Sequence, residues 1–196
     1  MGLPKATLPF GPESMIQRVL RLLGKVVRPL VVVAGPRQDL PELSHQVIVA
    51  RDRREGRGPL EGLRCGLDAM SRFAEAAYVT GCDVPLLVPG FVEYLVEHIG
   101  HHQVVVPFDG LHHHPLAAVY RTDAVADIDR ILAAGRSRPV DLYDVVSTRR
   151  VVVEELRRVD PELDTLANVN DPDSYFAALQ RAGFEVAPEI RKALAL

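Results

Sequence analysis

The stretch Tyr78-Val79-Thr80-Gly81-Cys82-Asp83-Val84-Pro85 decides how the rest of the chain is read. It is an apolar, β-prone run that stops abruptly at a carboxylate and then a proline. Such a run reads as a buried parallel strand, here over residues 77–82, delivering an acid to the carboxyl edge of a sheet, where ligands of open α/β sheets bind. A hard oxygen donor at that edge suits Mg²⁺, which is commonly held by one or two carboxylates together with substrate phosphates. Asp83 is therefore the first candidate for holding a metal-nucleotide. Read locally, the same residue only caps a helix opening near Pro89 or closes the turn. The stretch alone leaves both readings open.

Working upstream from it, Leu60, Leu63, Leu67 and Met70 repeat at helical spacing up to about Phe73, preceded by a charged, glycine-bearing segment over 51–59. Residues 47–50 and 29–34 are short continuous apolar runs, which predict strands buried on both faces, with a brief helix between them at 40–43. Ser14 can cap a helix through Met15, Ile16, Val19, Leu20, Leu22 and Leu23 that ends at Gly24, and residues 1–11 read as a loop with one cation, Lys5. Downstream, the pattern predicts a helix over 89–99, a strand over 104–108 broken at Asp109-Gly110, and a strand over 115–120. The turn signal between those two strands points to an antiparallel excursion. A helix over 122–134, a short helix over 140–146, a short strand over 151–153 and a helix over 171–182, with Pro172 in its first turn, complete the order. Alternation of this kind predicts an α/β sandwich with a mostly parallel sheet. No repeat or linker divides residues 1–196, so one domain is expected.

Composition narrows the class of function. A chain of 196 residues is long enough to bury roughly 70% of its unfolded surface, so it needs no disulfide or metal staple. Hydrophobic content of 47%, charged content of 25% and a net charge of −3 make no electrostatic case for nucleic acid. Cys65 and Cys82 lack the paired spacing of a zinc site or a secreted disulfide framework. No run approaches the ~18 apolar residues of a membrane span, and the first twenty residues lack the order of a signal peptide. A soluble cytoplasmic protein without nucleic-acid or membrane partners is expected.

Three further segments could carry chemistry. In Gly56-Arg57-Gly58-Pro59-Leu60-Glu61-Gly62-Leu63, glycines before a helix let backbone approach a ligand, and the helix N-terminus favours anionic or hydrogen-bond-accepting groups, although such loops also serve simply as turns. Asp52, just upstream, could accept hydrogen bonds from a ribose or base, or could be a solvated carboxylate among Arg51, Arg53 and Arg54. In Asn168-Val169-Asn170-Asp171-Pro172 the two asparagines alternate, so only one can face a site on a given side; helix capping is the plain alternative. Adjacent His112, His113 and His114 cannot all face one ion, and His114 is instead a candidate to line a substrate cleft.

Taken in order, Lys5-Ala-Thr-Leu-Pro-Phe-Gly11, Gly58-Pro-Leu-Glu-Gly62, Thr80-Gly-Cys-Asp-Val-Pro85, His114-Pro-Leu-Ala-Ala-Val-Tyr-Arg121 and Asn168-Val-Asn-Asp-Pro172 resemble the molybdenum cofactor guanylyltransferases of the nucleotidyltransferase superfamily. The resemblance spans nearly the whole chain. It implies a Rossmann-like nucleotidyltransferase fold and transfer of GMP from GTP to molybdenum-bound molybdopterin, with release of pyrophosphate. It implies that Lys5 binds phosphates, that Asp52 and Gly58 contact the nucleotide, and that Asp83 holds Mg²⁺ and contacts GTP. Asn170 then stands beside the metal and phosphates, and His114 on the acceptor side. Proteins that insert molybdenum or accept the finished cofactor are further partners it implies.

The resemblance also sets up a departure. The family carries a strand and a loop of the form Leu-x-Gly-Gly-x-Ser-x-Arg-Met-Gly ahead of the lysine, whereas this sequence opens at what resembles the closing Met-Gly. Pro4 stands where an aspartate often precedes the lysine, and Pro36 near where relatives tend to carry a nucleotide-contacting asparagine. The expectations are a sheet lacking a central strand, exposed edges on the strands beside the gap, weak or absent GTP binding, and a true start codon upstream. Alternatives that the residues leave open are a cytidylyltransferase or another small-molecule nucleotidyltransferase, and a non-catalytic paralogue that binds the cofactor.

Overall fold

The computed structural model describes residues 4–52, 58–186 and 188–194. A 3-10 turn at Lys5–Thr7 leads into a two-residue antiparallel hairpin of β1 (Pro9–Phe10) and β2 (Glu13–Ser14). From Lys5 on, the predicted leader loop is thus replaced by structure, because Leu8 and Phe10 are drawn inward against Met15, Tyr175 and Leu179; residues 1–3 of that prediction lie outside the described residues. Helix α1 (Met15–Leu23) starts at a capping box. The Ser14 side chain accepts from the Gln17 N–H, and the Gln17 side chain accepts from the Ser14 N–H. β3 (Leu30–Ala34) and β4 (Val47–Arg51) pair in parallel, Leu30 opposite Val47 through Ala34 opposite Arg51. The segment between them holds no helix at 40–43. Leu40 and Leu43 still pack on Ile16 and Val32, so their apolar spacing records burial rather than helix.

α2 (Pro59–Met70) returns to β5 (Ala76–Thr80), which is followed by α3 (Pro89–Glu97), β6 (Val104–Phe108), β7 (Ala117–Arg121) and α4 (Val125–Ala133). The predicted helix at 140–146 is a 3-10 helix, Pro139–Leu142, followed by a turn. Asp141, buried within it, accepts hydrogen bonds from the Arg136 and Arg138 side chains and from the Arg138 N–H at the start of the segment. β8 (Thr148–Val152) starts earlier than the apolar run suggested, since ladder pairing to β6 recruits Thr148, Arg149 and Arg150. α5 (Val153–Leu156), α6 (Pro172–Arg181) and α7 (Pro188–Leu194) close the chain, and Leu194 is buried against the cluster around Phe10 and Tyr175.

The predicted α/β sandwich is realised with the sheet in two pieces. β5, β7, β6 and β8 form a four-stranded sheet in that order, with β7 antiparallel to both neighbours and β6 parallel to β8. The antiparallel excursion is therefore inserted between β5 and β6. β3 and β4 form a separate parallel pair. Between β3 and β5 lies a cavity of about 640 Å³, walled by those two strands, α1 and α2. β4 is not the doubly buried strand that its composition predicts: it is an edge strand, with Val49 45% exposed. Among the described residues, no helix is long and apolar enough to cross a membrane.

Candidate active site

β5 ends at Thr80, two residues earlier than the apolar run, and its last residue pairs with Ala117 at the start of β7. His114 lies three residues before that start, and its N–H donates to the Pro107 carbonyl of β6 at 3.0 Å. The carboxyl ends of β5 and β6 and the loop that carries His114 therefore share one edge. Past Thr80 the chain bends sharply. A Cβ at Gly81 would collide with Asp83 Oδ1, so glycine is what permits the carboxylate to fold back over the strand end. Asp83 is thereby an element of the sheet edge. The cap position of α3 is taken by Val88 instead, which sets aside the helix-cap reading of Asp83 but not the turn reading.

Three distant segments meet at Asp83. Lys5 Nζ lies 3.1 Å from Asp83 Oδ2 and donates to Asn170 Oδ1 at 2.6 Å. The Val169 N–H donates to the Asp83 carbonyl at 2.8 Å. Val169 itself is buried beside Leu8 and Tyr175, and this alternation turns Asn170 out toward Lys5. Ser174 Oγ accepts the N–H groups of both Asn170 and Asp171 at 3.1 Å, while Asp171 caps α6 through the Ser174 N–H. The capping reading thus holds for Asp171, while Asn170 is the residue of this segment that meets Lys5. Ser174 was not among the sequence candidates, although the spacing Asp171-x-x-Ser174 carries the signal of a cap whose hydroxyl can also steady the residue before it.

Asp52 lies just beyond β4, its N–H donating to the Ala34 carbonyl at 2.9 Å. Its side chain lines the cavity, and its Oδ1 is enclosed without a hydrogen-bond partner among the described residues. Burial first, and the Glu61 charge second, push the Asp52 carboxyl above the ordinary range. One of its two oxygens is thus shielded, while the residue as a whole is half-buried. Gly58 opens α2 with φ +79, and an added Cβ would stand 3.2 Å from Ser137, whose carbonyl accepts the Leu60 N–H. Gly56 and Arg57 lie outside the described residues, as do Arg53 and Arg54.

His114 Nε2 is 3.4 Å from Asp109 Oδ2 and makes no hydrogen bond among the described residues. The loop beneath it is anchored from the core. Tyr120 Oη donates to the Pro115 carbonyl at 2.9 Å and accepts from Tyr143 Oη at 2.8 Å, and burial pushes the Tyr143 phenol up to about 12. His113 packs between the tilted rings of Phe108 and Tyr143 and accepts from Arg150 Nε; burial and then the Arg150 charge lower its affinity for a proton. Arg150 was missed because a strand arginine carries no local motif.

Lys5, Asp83 and Asn170 are brought into direct contact, while Asp52, which lines the cavity, and Gly58 stand on the β4–α2 connection and His114 on the loop between β6 and β7. One cation, several oxygen acceptors and a helix N-terminus around a crevice can hold a polyphosphate and its counter-ion.

The description "MobA-like NTP transferase domain" matches residues 1–144. A Mycobacterium avium protein named "Probable molybdenum cofactor guanylyltransferase" is 38% identical over 179 residues, covering 87% of this chain and 84% of that protein. A Mycobacterium tuberculosis protein of the same name is 35% identical over 188 residues, covering 92% and 87%. The solved structure of molybdopterin-guanine dinucleotide biosynthesis protein A from Archaeoglobus fulgidus superposes with a TM-score of 0.75 at 22% identity, covering 93% of this chain and 92% of that one. The 2-C-methyl-D-erythritol 4-phosphate cytidylyltransferase of Thermus thermophilus does so at 0.65 and 13%, covering 92% and 94%, which places the fold among nucleotidyltransferases. By the extent of the domain match and the identity to those relatives, this chain belongs to the MobA-like NTP transferase family.

Proposed function

We propose that this protein transfers GMP from GTP to the terminal phosphate of molybdenum-bound molybdopterin, releasing pyrophosphate and forming the guanine dinucleotide cofactor in the cytoplasm. The observation that carries the reading is the junction of Lys5, Asp83 and Asn170 at the carboxyl edge of the sheet, in a chain whose relatives are named for this activity. An oxygen of the acceptor phosphate attacks the α-phosphorus of GTP. A new P–O bond forms, the bond to the bridging oxygen breaks, and pyrophosphate leaves with the electron pair. The attacking phosphate is already ionised at neutral pH, so the site needs charge stabilisation rather than a strong general base.

Lys5 binds the phosphates and offsets charge developing on them. Asp52, whose enclosed Oδ1 has no partner among the described residues, accepts a hydrogen bond from the ribose or base, and the backbone at Gly58 lets the nucleotide approach the start of α2. His114 lines the acceptor side. Asp83 Oδ2 and Asn170 Oδ1 already converge on one cation, the Lys5 ammonium, and both are the hard oxygen donors that suit Mg²⁺. These two would hold the ion, with phosphate oxygens completing its shell; bound there, Mg²⁺ supplies neutralisation of the triphosphate.

The first test is equilibrium binding of GTP against CTP with Mg²⁺, by the 196-residue chain and by a form extended through upstream in-frame codons. Transfer of label from α-³²P-GTP to molybdopterin follows. The reading expects preference for GTP and loss of transfer in Lys5→Ala and Asp83→Ala. Preference for CTP, or transfer that survives Asp83→Ala, overturns it.

A further inference from the structure

Lys5, Asp83 and Asn170 meet at one point, yet each rides on backbone outside the strands of the larger sheets. Lys5 opens the 3-10 turn ahead of the β1–β2 hairpin, Asp83 lies in the irregular stretch between β5 and α3, and Asn170 lies in the irregular stretch just ahead of α6. Irregular backbone takes its place from the partners that satisfy its polar groups. In the Asp83 stretch, the Leu87 N–H donates to the Val84 carbonyl at 3.1 Å, and the buried Thr165 hydroxyl accepts the Val88 N–H at 3.0 Å. The carbonyl of Pro85, two residues past Asp83, accepts from Arg18 Nε at 2.6 Å.

Arg18 comes from α1, and its side chain is only 14% exposed. A guanidinium is costly to take out of water, so partners must replace that water. Its Cζ stands 4.9 Å from the centre of the Phe10 ring and 5.4 Å from that of Phe184, and the two rings meet edge to face at 5.8 Å. Its Nη1 lies 3.6 Å from Glu13 Oε1, and Arg21 in turn donates to both oxygens of Glu13. At Gly11, with φ +67, an added Cβ would stand 2.7 Å from the Phe184 ring, so the hairpin turn closes directly on that ring.

These partners are the continuations of the three site segments. Phe10 and Glu13 sit on β1 and β2, which follow Lys5; Pro85 follows Asp83; and Phe184 follows α6, which Asn170 precedes. α6 is tied to the hairpin a second time, since Tyr175 Oη donates to the Pro9 carbonyl. The three segments thus meet twice, once at Lys5, Asp83 and Asn170 and once around Arg18.

We infer that Arg18 is a positioning residue for the reaction proposed above: by holding the hairpin, the Asp83 turn and the segment after α6 around one guanidinium, it fixes the distances at which Lys5, Asp83 and Asn170 meet. It acts through these segments rather than on the phosphates. Its Nε–H holds the turn at Pro85, and its charge holds the two aromatic segments. A displacement of about 1 Å in a group that must be placed for chemistry is enough to lower the rate steeply.

The test is Arg18→Met, which keeps an unbranched apolar side chain and removes the charge and the donor. It is read by amide hydrogen exchange without nucleotide and then by steady-state GMP transfer. The Val169 N–H, bonded to the Asp83 carbonyl, reports the turn. It should exchange on the order of 10-fold faster, while the amides of β6 and β7 keep their rates. kcat should fall by on the order of 10- to 100-fold with KM for GTP within about twofold, because the contacts proposed for Asp52 and Gly58 lie on another segment. Arg18→Lys, which keeps a cation against the rings and Glu13, should leave Val169 exchanging only about threefold faster than in the parent and recover part of kcat. The inference is overturned by an unchanged Val169 rate in Arg18→Met, by an acceleration that β6 and β7 share equally, which marks lost stability alone, or by a rise in KM with kcat kept. If Arg18→Met fails to fold, a parent rate at Val169 in Arg18→Lys overturns it. The kinetic arm rests on the reaction proposed above and the exchange arm does not: a parent that transfers no GMP refutes the reaction, while the Val169 rate still decides the role of Arg18.

Discussion

β6 and β3 are both five-residue strands built around three consecutive valines, yet they end in different surroundings. Val104, Val105 and Val106 of β6 are 0% exposed, held between β7 and β8, with α3 and α5 on one face and α2 and α4 on the other. In β3 only Val32 and Ala34 are buried, because one edge has β4 and the other has a cavity. The same local sequence thus yields a finished core on one side of the molecule and an unfinished one on the other. Burial belongs to what stands beside a strand, not to the strand's own hydropathy.

Core truncations should expose this contrast most sharply. Phe91, 0% exposed and packed with Leu95, Val105 and Val119, should cost about 3–5 kcal/mol as Phe91→Ala. Val31→Ala in β3, whose side chain already faces the cavity, should cost about 1 kcal/mol or less. Urea unfolding of the two variants measures both. Equal losses would mean that the two sheets are equally packed and the contrast fails.

Next in size, the two acids at the sheet edge should differ in kind. Asp83→Ala removes the residue on which Lys5 and the Val169 N–H converge, and GMP transfer should fall by on the order of 100- to 1000-fold. Asp52→Ala, on the two-stranded side, should chiefly raise KM for GTP. Steady-state kinetics separates the two patterns, and a matching loss of kcat in both would merge the roles.

A smaller effect is expected at the loop between them. Gly58→Ala meets both a positive φ and the Ser137 carbonyl, and should lower stability by about 1–2 kcal/mol. Thermal unfolding without nucleotide reads this, and an unchanged midpoint would show that the α2 start is free to move.

The smallest effect concerns pH. Burial, and then Glu61, hold the Asp52 carboxyl above its ordinary value of 3.8, so the folded protein keeps a proton that the unfolded chain has released at the same pH. The stability this group contributes is full below the unfolded value, declines as pH rises through the folded one, and stays lower above it. Asp52→Asn should remove that decline and slightly raise the urea midpoint at pH 7 relative to pH 4. A midpoint difference identical in the parent and the variant would show that Asp52 is solvated after all.

Much of this was legible along the chain. Ser14 and Gln17 announce the start of α1, Pro59 and Pro172 sit in the first turns of α2 and α6, and the stop at Asp83-Val84-Pro85 placed the acid at a strand end. These are signals carried by neighbours three or four residues apart. Leu40 and Leu43 misled because apolar spacing reports which residues are buried and not which backbone buries them. Val47-Ile48-Val49 misled because an edge strand and a central one can be written in the same residues. Arg150 and Ser174 were invisible as site residues for the opposite reason: each acts through a partner that only folding brings near.

By itself, then, the order of residues determined the alternation of strands and helices, the caps, and the presence of one acid just past the end of a strand, but not that this strand is half-buried and paired antiparallel at a sheet edge. Tertiary structure alone decided that Lys5 meets Asp83 across 78 positions and Asn170 across 165, that β7 threads between β5 and β6, and that a cavity lies between β3 and β5. The division has a physical cause. Helix and turn preferences are set by atoms within a few residues of one another, whereas ion pairs, strand order and cavities depend on which surfaces the collapsed chain must bury against each other.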